Sequence, residues 1–202
     1  MRVGKFIRNK RLIGIVLMLV SFLLIAGCSE NGNAKEVETE KEIDSVEKDK
    51  AAIQAVIEKQ FNGPDEKYRE LWNAATDIQT GDMNEEQYHA WLNSPEYKAL
   101  IDYMSDTYAP YFTNNAYETF SNTDAFMYSF SDQEYKLKTA NIEINQNEVE
   151  KTLYTFTFQV MYENDIGKTE TFDFKGEAIV PATGKIGKLQ VDDQERLLEK
   201  IR

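Results

Sequence analysis

The sequence predicts an α+β domain in which helices come first and an antiparallel meander sheet follows. Between residues 53 and 108, apolar residues recur at helical spacing. From residue 152 to residue 180, large apolar residues alternate with polar ones, as in strands that bury one face. A turn-like stretch at residues 163–168 separates the two alternating runs and indicates a hairpin.

The first helix is predicted from four apolar residues that lie on one helical face, Ile53, Val56, Ile57 and Phe61. The tripeptide Asn62-Gly63-Pro64 follows them directly. Because Gly and Pro both disfavour a continuing helix, we expect this helix to end there.

Three more helices are predicted before residue 110. The second begins near Asp65, and the stretch Asp82-Met83-Asn84-Glu85 is interpreted as a capping box that opens the third. The fourth begins with Ser94 as its N-cap and Pro95 at its first helical position, where a missing N–H costs nothing. Pro110 ends it.

The second half of the chain is predicted to form the sheet. The strongest strands are Thr152–Tyr162 and Thr169–Val180, and Gly176 in the second predicts a bulge. Within the first, five residues point to one face and are expected to be core: Tyr154, Phe156, Phe158, Val160 and Tyr162. Weaker patterns predict strands at Ala125–Ser131, Tyr135–Asn145 and Lys185–Val191, and a short final helix within Asp193–Ile201.

The N-terminus has the pattern of a secretory signal. Five basic residues and no acid occupy the first eleven positions, and Leu12 to Ala26 are then apolar apart from one Gly and one Ser. A helix of these 15 residues spans only ~22 Å, which is short of a ~30 Å hydrocarbon core. This order is typical of a cleaved signal peptide. An uncleaved membrane anchor is the alternative.

The stretch Ile25-Ala26-Gly27-Cys28 resembles the bacterial lipobox, and Cys28 is the only cysteine in the chain. The resemblance implies cleavage between Gly27 and Cys28 and attachment of a diacylglyceryl group, with a palmitate-type acyl chain, to the Cys28 thiol. Two acyl chains suffice for stable anchoring. The protein is therefore expected at the extracytoplasmic face of a bacterial cell membrane, of Gram-positive type.

Composition separates an anchor from a folded domain. Domains are predicted at 1–27 (signal), 28–44 (lipidated Cys and flexible acidic tether) and 45–202 (one α+β domain). The signal holds five of the 23 basic residues and none of the 35 acids, so the mature charge is about −17. Such a charge argues against nucleic acid as a partner.

The order of helices first and long strands second resembles the NTF2-like (cystatin-like α+β) superfamily over residues 46–192. The resemblance implies that a curved sheet wraps around the helices to form a cone with an apolar pocket. Some members of that superfamily are enzymes with an Asp/His pair in the cone, whereas many others are non-catalytic binding or dimerisation modules. The sheet is therefore a candidate surface for a homodimer.

Residues that could carry chemistry are few. His89 is the only histidine and lies in a polar segment, so no catalytic role, metal site or cofactor is predicted. The acidic stretches 163–165 and 192–195 lack the spacing of a calcium loop. Nine aromatic residues between Tyr103 and Phe130 predict core; the alternative is a pocket for a small apolar ligand. The candidate pocket residues are Tyr108, Tyr111, Tyr128 and Tyr154.

These observations favour a membrane-anchored, non-enzymatic module that binds a protein or a small apolar ligand. An accessory subunit of a cell-envelope complex is a narrower form of the same hypothesis. The alternative is a small hydrolase or isomerase that uses Asp and Tyr side chains in the cone pocket.

Overall fold

The structure, a computed structural model, describes residues 32–79, 81, 83–131 and 133–202, with side-chain surroundings from residue 41 onward. The chain divides into two compact units, Met1–Ile43 and Asp44–Arg202. The predicted signal and the lipidation site at Cys28 lie outside the described residues. No helix among the described residues is long and apolar enough to cross a membrane.

The described residues form six α-helices and one four-stranded antiparallel sheet, which confirms the α+β class. The helices are α1 (Gly32–Phe61), α2 (Glu66–Asp77), α3 (Glu85–Leu92), α4 (Pro95–Tyr108), α5 (Asn114–Thr123) and α6 (Leu197–Lys200). The strands are β1 (Tyr135–Gln146), β2 (Leu153–Asn164), β3 (Thr169–Ile179) and β4 (Lys188–Asp192). They are hydrogen-bonded in chain order, so the predicted meander is confirmed.

Helix α1 begins earlier than expected. Its backbone is helical from Gly32, although the sequence predicted an irregular tether up to residue 44. The stretch is rich in Glu and Lys, which are good helix formers. An ion pair between Lys48 and Asp44, four residues apart, adds local support. The flexibility of this tether stays a prediction.

The helix starts follow local capping chemistry. Asp65 caps α2 by accepting the Tyr68 N–H at 2.8 Å, and Ser94 caps α4, as predicted. The capping box of α3 was assigned two residues too early. It is formed by Asn84 and Gln87, each of whose side chains accepts the other's backbone N–H.

The segment between α4 and β1 differs from the prediction. Helix α5 was not predicted, and the strand predicted at Ala125–Ser131 is instead a turn that contains the short 3-10 helix Met127–Ser129. Phe126 adopts a left-handed backbone conformation (φ 59°) and is 1% exposed. The apolar composition correctly indicated burial of Phe126 and Tyr128, but their rings are buried by a turn rather than by a strand.

The predicted core face of β2 is confirmed. Its alternate residues from Tyr154 to Tyr162 are buried, and the intervening residues are wholly or partly exposed. The Phe61 ring of α1 packs against Phe158 and against Phe174 of β3, with a distance of 4.9 Å between ring centroids in each pair. The core therefore lies between α1 and this face of the sheet.

The predicted bulge at Gly176 is wrong, because β3 keeps continuous register with β2 and β4 there. The register shift lies in β1 between Ala140 and Glu143, where Asn141 has φ 51°. Glycine is needed at position 176 because the Phe156 ring packs against it. A Cβ atom there would lie 2.4 Å from Cζ of Phe156.

Candidate binding cavity

A cavity of about 290 Å³ lies beside the C-terminal half of α1, and we name it the β4 cavity. Val56, Ile57 and Phe61 line it from the core face of α1, together with Gln60 on the same face. Helical spacing places these four residues next to one another at the end of the helix. The other apolar walls come from Phe120, Met127, Leu189, Val191 and Leu198.

Gln60 is a buried polar residue (7% exposed) in the wall of the β4 cavity. Its Nε2 donates to the Asp124 carbonyl at 2.5 Å, and its Oε1 accepts from the Tyr108 hydroxyl at 2.9 Å and the Phe126 N–H at 3.0 Å. The amide therefore satisfies the turn that holds Phe126 in its left-handed conformation. Its acceptor and donor atoms are engaged within the protein, so its role here is to fix the wall.

The Tyr128–Asp193 pair also lies in this wall. The Tyr128 hydroxyl donates to Asp193 Oδ2 at 3.3 Å. The same carboxylate accepts the N–H groups of Leu197 at 2.8 Å and Leu198 at 2.9 Å, which caps helix α6. Burial, and then the charge of Asp193, raises the pKa of Tyr128. The phenol thus remains a protonated donor that ties the final helix to the turn.

Two further Tyr–Asp pairs follow the same arrangement away from the cavity. Tyr154 donates to Asp49 at 2.8 Å, and Asp49 also accepts the Gly184 N–H at 2.7 Å. Tyr103 donates to Asp65, the N-cap of α2, at 2.9 Å. Burial and the Asp65 carboxylate raise the pKa of Tyr103 to about 12. In each pair the carboxylate binds both a phenol and a backbone N–H, so each pair anchors a turn or a helix start.

The structure places the four candidate pocket tyrosines in different surroundings. Tyr128 lines the β4 cavity, and Tyr108 lies one hydrogen bond behind its wall, on Gln60. Tyr154 is fully buried against Asp49. Tyr111 is half-buried, with the Lys59 ammonium 5.9 Å from its ring centroid. Two of the four are therefore associated with one cavity.

His89 lies on α3 with 65% of its side chain exposed, and its Nε2 is 4.0 Å from Glu85. Within the part of the chain that the structure describes, no group of three or more His, Cys, Asp and Glu side chains could hold a metal ion. The positions expected to carry lipid and to be cleaved, Cys28 and Gly27, precede the described residues.

Several residues of the β4 cavity were not singled out in the sequence. Gln60 interrupts the apolar face of α1, and that interruption is a detectable signal for a buried polar role. Leu189, Val191 and Leu198 lie in short elements with no distinctive pattern. Neither protein-family models nor curated proteins give a match to this chain.

Proposed function

We propose that this chain is a lipid-anchored extracytoplasmic lipoprotein whose folded domain is a non-enzymatic binding module for a small apolar ligand. The observation that carries the binding proposal is the β4 cavity. Most of its lining residues are apolar, and of the polar ones Gln60, Tyr128 and Asp193 have partners inside the protein. A ligand there needs apolar surface more than hydrogen-bonding groups.

The lipid anchor is supported by the sequence. A basic segment, a short apolar run and the Ile25-Ala26-Gly27-Cys28 stretch occur in the order of a lipoprotein signal. Cys28→Ala should block processing and release part of the protein from the membrane fraction, whereas the neighbouring Ser29→Ala should be processed normally. Mass spectrometry of native protein that shows an uncut, unlipidated N-terminus would exclude the anchor.

The domain is proposed to be NTF2-like. Support comes from the element order, with five helices before a four-stranded meander, and from the packing of α1 on one face of that sheet. Residues of both α1 and β4 line the β4 cavity, which agrees with the pocket between helices and sheet that the resemblance implies. An experimental structure with a different element order would contradict this assignment.

Binding is tested by nuclear magnetic resonance of the chain with ¹³C-labelled methionine methyl groups. Met127 lines the β4 cavity, and Met161 lies 40% exposed on β2 as an internal reference. A neutral probe with a short alkyl chain, such as 1-hexanol, should shift the Met127 signal only. Leu198→Trp should abolish that shift by filling the cavity, whereas Ile166→Trp, at an 81% exposed turn position, should not. A native chain without a Met127 shift would contradict the proposal.

The enzyme alternative is favoured by one observation, the Tyr128–Asp193 pair in the cavity wall. It predicts turnover of a small ester or enol substrate that Tyr128→Phe abolishes while 1-hexanol still binds. The binding proposal predicts no such turnover in the native chain, so one assay separates the two functions.

A further inference from the structure

The β4 cavity adjoins a second concavity of about 410 Å³, which we name the α5 groove. The groove is lined by residues of α5, of the segment before it and of the start of β4. Three residues line both spaces: Phe120, Asp124 and Leu189. The two spaces are therefore neighbours, and these three residues lie where they meet.

The two spaces differ in chemistry. The cavity is walled mainly by aliphatic and aromatic side chains from α1, β4 and α6. The groove instead presents hydroxyl, amide and ammonium groups from Thr113, Asn115, Thr119 and Lys188. An elongated ligand that fits both must be apolar at one end and polar at the other.

Asp124 provides a fixed charge where the two spaces meet. It is half-buried, and its backbone carbonyl is held by Gln60 at 2.5 Å. Thr123 Oγ1 lies 2.6 Å from Asp124 Oδ2 and 2.9 Å from the carbonyl oxygen of Thr119, a residue that lines the groove. Asp124 lines both the cavity and the groove, so its carboxylate is the acidic group nearest to a ligand that occupies the junction.

We propose that the β4 cavity and the α5 groove together bind a single-chain amphiphile with a cationic head group. Its alkyl chain occupies the cavity, and its ammonium group pairs with the Asp124 carboxylate. This proposal rests on the proposed function of the cavity and names its ligand class. A cavity of about 290 Å³ is at the small end for ligand sites, which suits one short chain rather than two.

Lys188 also lines the groove and would favour an anionic head group. Its side chain is exposed on a flexible stem, whereas Asp124 is half-buried and its backbone is held by a hydrogen bond. Coulomb interactions are stronger in the less solvated position. The formal charge of the chain, −12, also raises the local concentration of cations. Both effects select the cationic head group.

The test compares three probes of equal chain length: hexylammonium, 1-hexanol and hexanoate. Each is titrated into the full chain held in nanodiscs of neutral lipid, and affinity is read from the Met127 methyl signal, with Met161 as reference. Hexylammonium should bind about tenfold more tightly than 1-hexanol, as expected for one partly exposed charged hydrogen bond. Hexanoate should bind more weakly than 1-hexanol.

Two variants test whether the Asp124 carboxylate causes the preference for hexylammonium. Asp124→Asn should lower the affinity for hexylammonium to that for 1-hexanol. It should leave the affinity for 1-hexanol unchanged. Glu118→Gln removes the same charge from an exposed position of α5 that lines neither space, and should change neither affinity.

Equal affinities of hexylammonium and 1-hexanol for the native chain would overturn the cationic preference while leaving the apolar binding function standing. If hexanoate binds more tightly than 1-hexanol, the cationic preference is overturned, and Lys188 rather than Asp124 pairs with the head group. If no probe shifts Met127, both the ligand class and the proposed function fail. Because these comparisons use the native chain, they do not depend on the folding of a variant.

Discussion

At the scale of single residues, buried polar groups in this domain serve the backbone. Gln60 holds the Phe126 turn, and Asp193 holds the start of α6. No buried side-chain nitrogen or oxygen among the described residues lacks a hydrogen-bond partner. Since an unpaired buried polar atom costs about 1–3 kcal/mol, this pairing is a requirement for a stable core. The carboxylates of the three Tyr–Asp pairs likewise serve the backbone, because each accepts a backbone N–H as well as a phenol.

Gly176 shows how one missing side chain determines the packing of a ring. A Cβ atom at this position would lie 2.3 Å from the Gln190 carbonyl oxygen and 2.4 Å from Cζ of Phe156. Gly176→Ala should therefore lower the free energy of unfolding by about 1–3 kcal/mol, as overpacking usually does. Urea denaturation followed by circular dichroism measures this change.

The matched control for Gly176→Ala is Glu177→Ala, at the next, exposed position of the same strand. It should alter the free energy of unfolding by less than about 0.5 kcal/mol. An equally small effect of Gly176→Ala would mean that Phe156 can move aside at little cost.

At the scale of elements, α1 contributes both to the core and to the wall of the β4 cavity. Its last turns supply Ile53 and Ile57 to the core and three apolar residues to the wall of the β4 cavity. From residue 41 onward, where side-chain surroundings are described, its first buried residue is Asp49, whereas Ile43 is 58% exposed. The core-forming part of this helix therefore begins after the boundary between the two compact units, which falls between Ile43 and Asp44.

A chain that begins at Ser45 should fold as stably as the mature chain that begins at Cys28. Residues 29–44 are mostly polar and contain too few apolar side chains to offset the entropy of ordering them. Thermal unfolding should give the same melting temperature within about 2 °C, a shift that corresponds to less than about 1 kcal/mol for a domain of this size.

As a control for this truncation, a chain that begins at Ala55 removes Asp49, Ala52 and Ile53 from the core and should not unfold cooperatively. A marked loss of melting temperature for the chain that begins at Ser45 would instead show that the tether packs on the domain.

The elements that the sequence predicted well are those with two unlike faces. The alternation in β2 and the spacing in α1 both report a boundary between core and solvent, and the structure has that boundary in both. Helix α5 was missed because Phe120 is its one buried residue. The segment from Ala125 to Ser131 was misassigned because burial in a turn leaves the same apolar composition as burial in a strand.

At the scale of the whole molecule, the β4 cavity is a product of tertiary packing. Its walls come from residues 56–61, 120–128 and 189–198, which are far apart in the chain. Local periodicity shows which face of each element is apolar, but it does not show where three such faces leave a gap. The aromatic cluster near Tyr128 predicted the right region, whereas the contributions of β4 and α6 required the fold.

The whole molecule should lose stability at alkaline pH, because its buried phenols must stay protonated. Burial raises the pKa of Tyr68, Tyr108, Tyr128 and Tyr154 above the ordinary value of 10, and that of Tyr103 to about 12. Since the folded state binds these protons more tightly than the unfolded state, the stabilisation is complete below pH 10 and is lost as pH rises through the folded values. For Tyr103 this window runs from pH 10 to about 12.

The midpoint of urea unfolding should therefore fall steadily above pH 10, and the absorbance of tyrosinate should rise in the same step as the loss of helical circular dichroism. Tyr103→Phe should make the decline less steep, because one linked proton is removed, whereas Tyr88→Phe, at a ring that is 47% exposed, should leave it unchanged. Complete tyrosine ionisation while the circular dichroism is still native would contradict this linkage, since it would mean that the phenols ionise without unfolding the core.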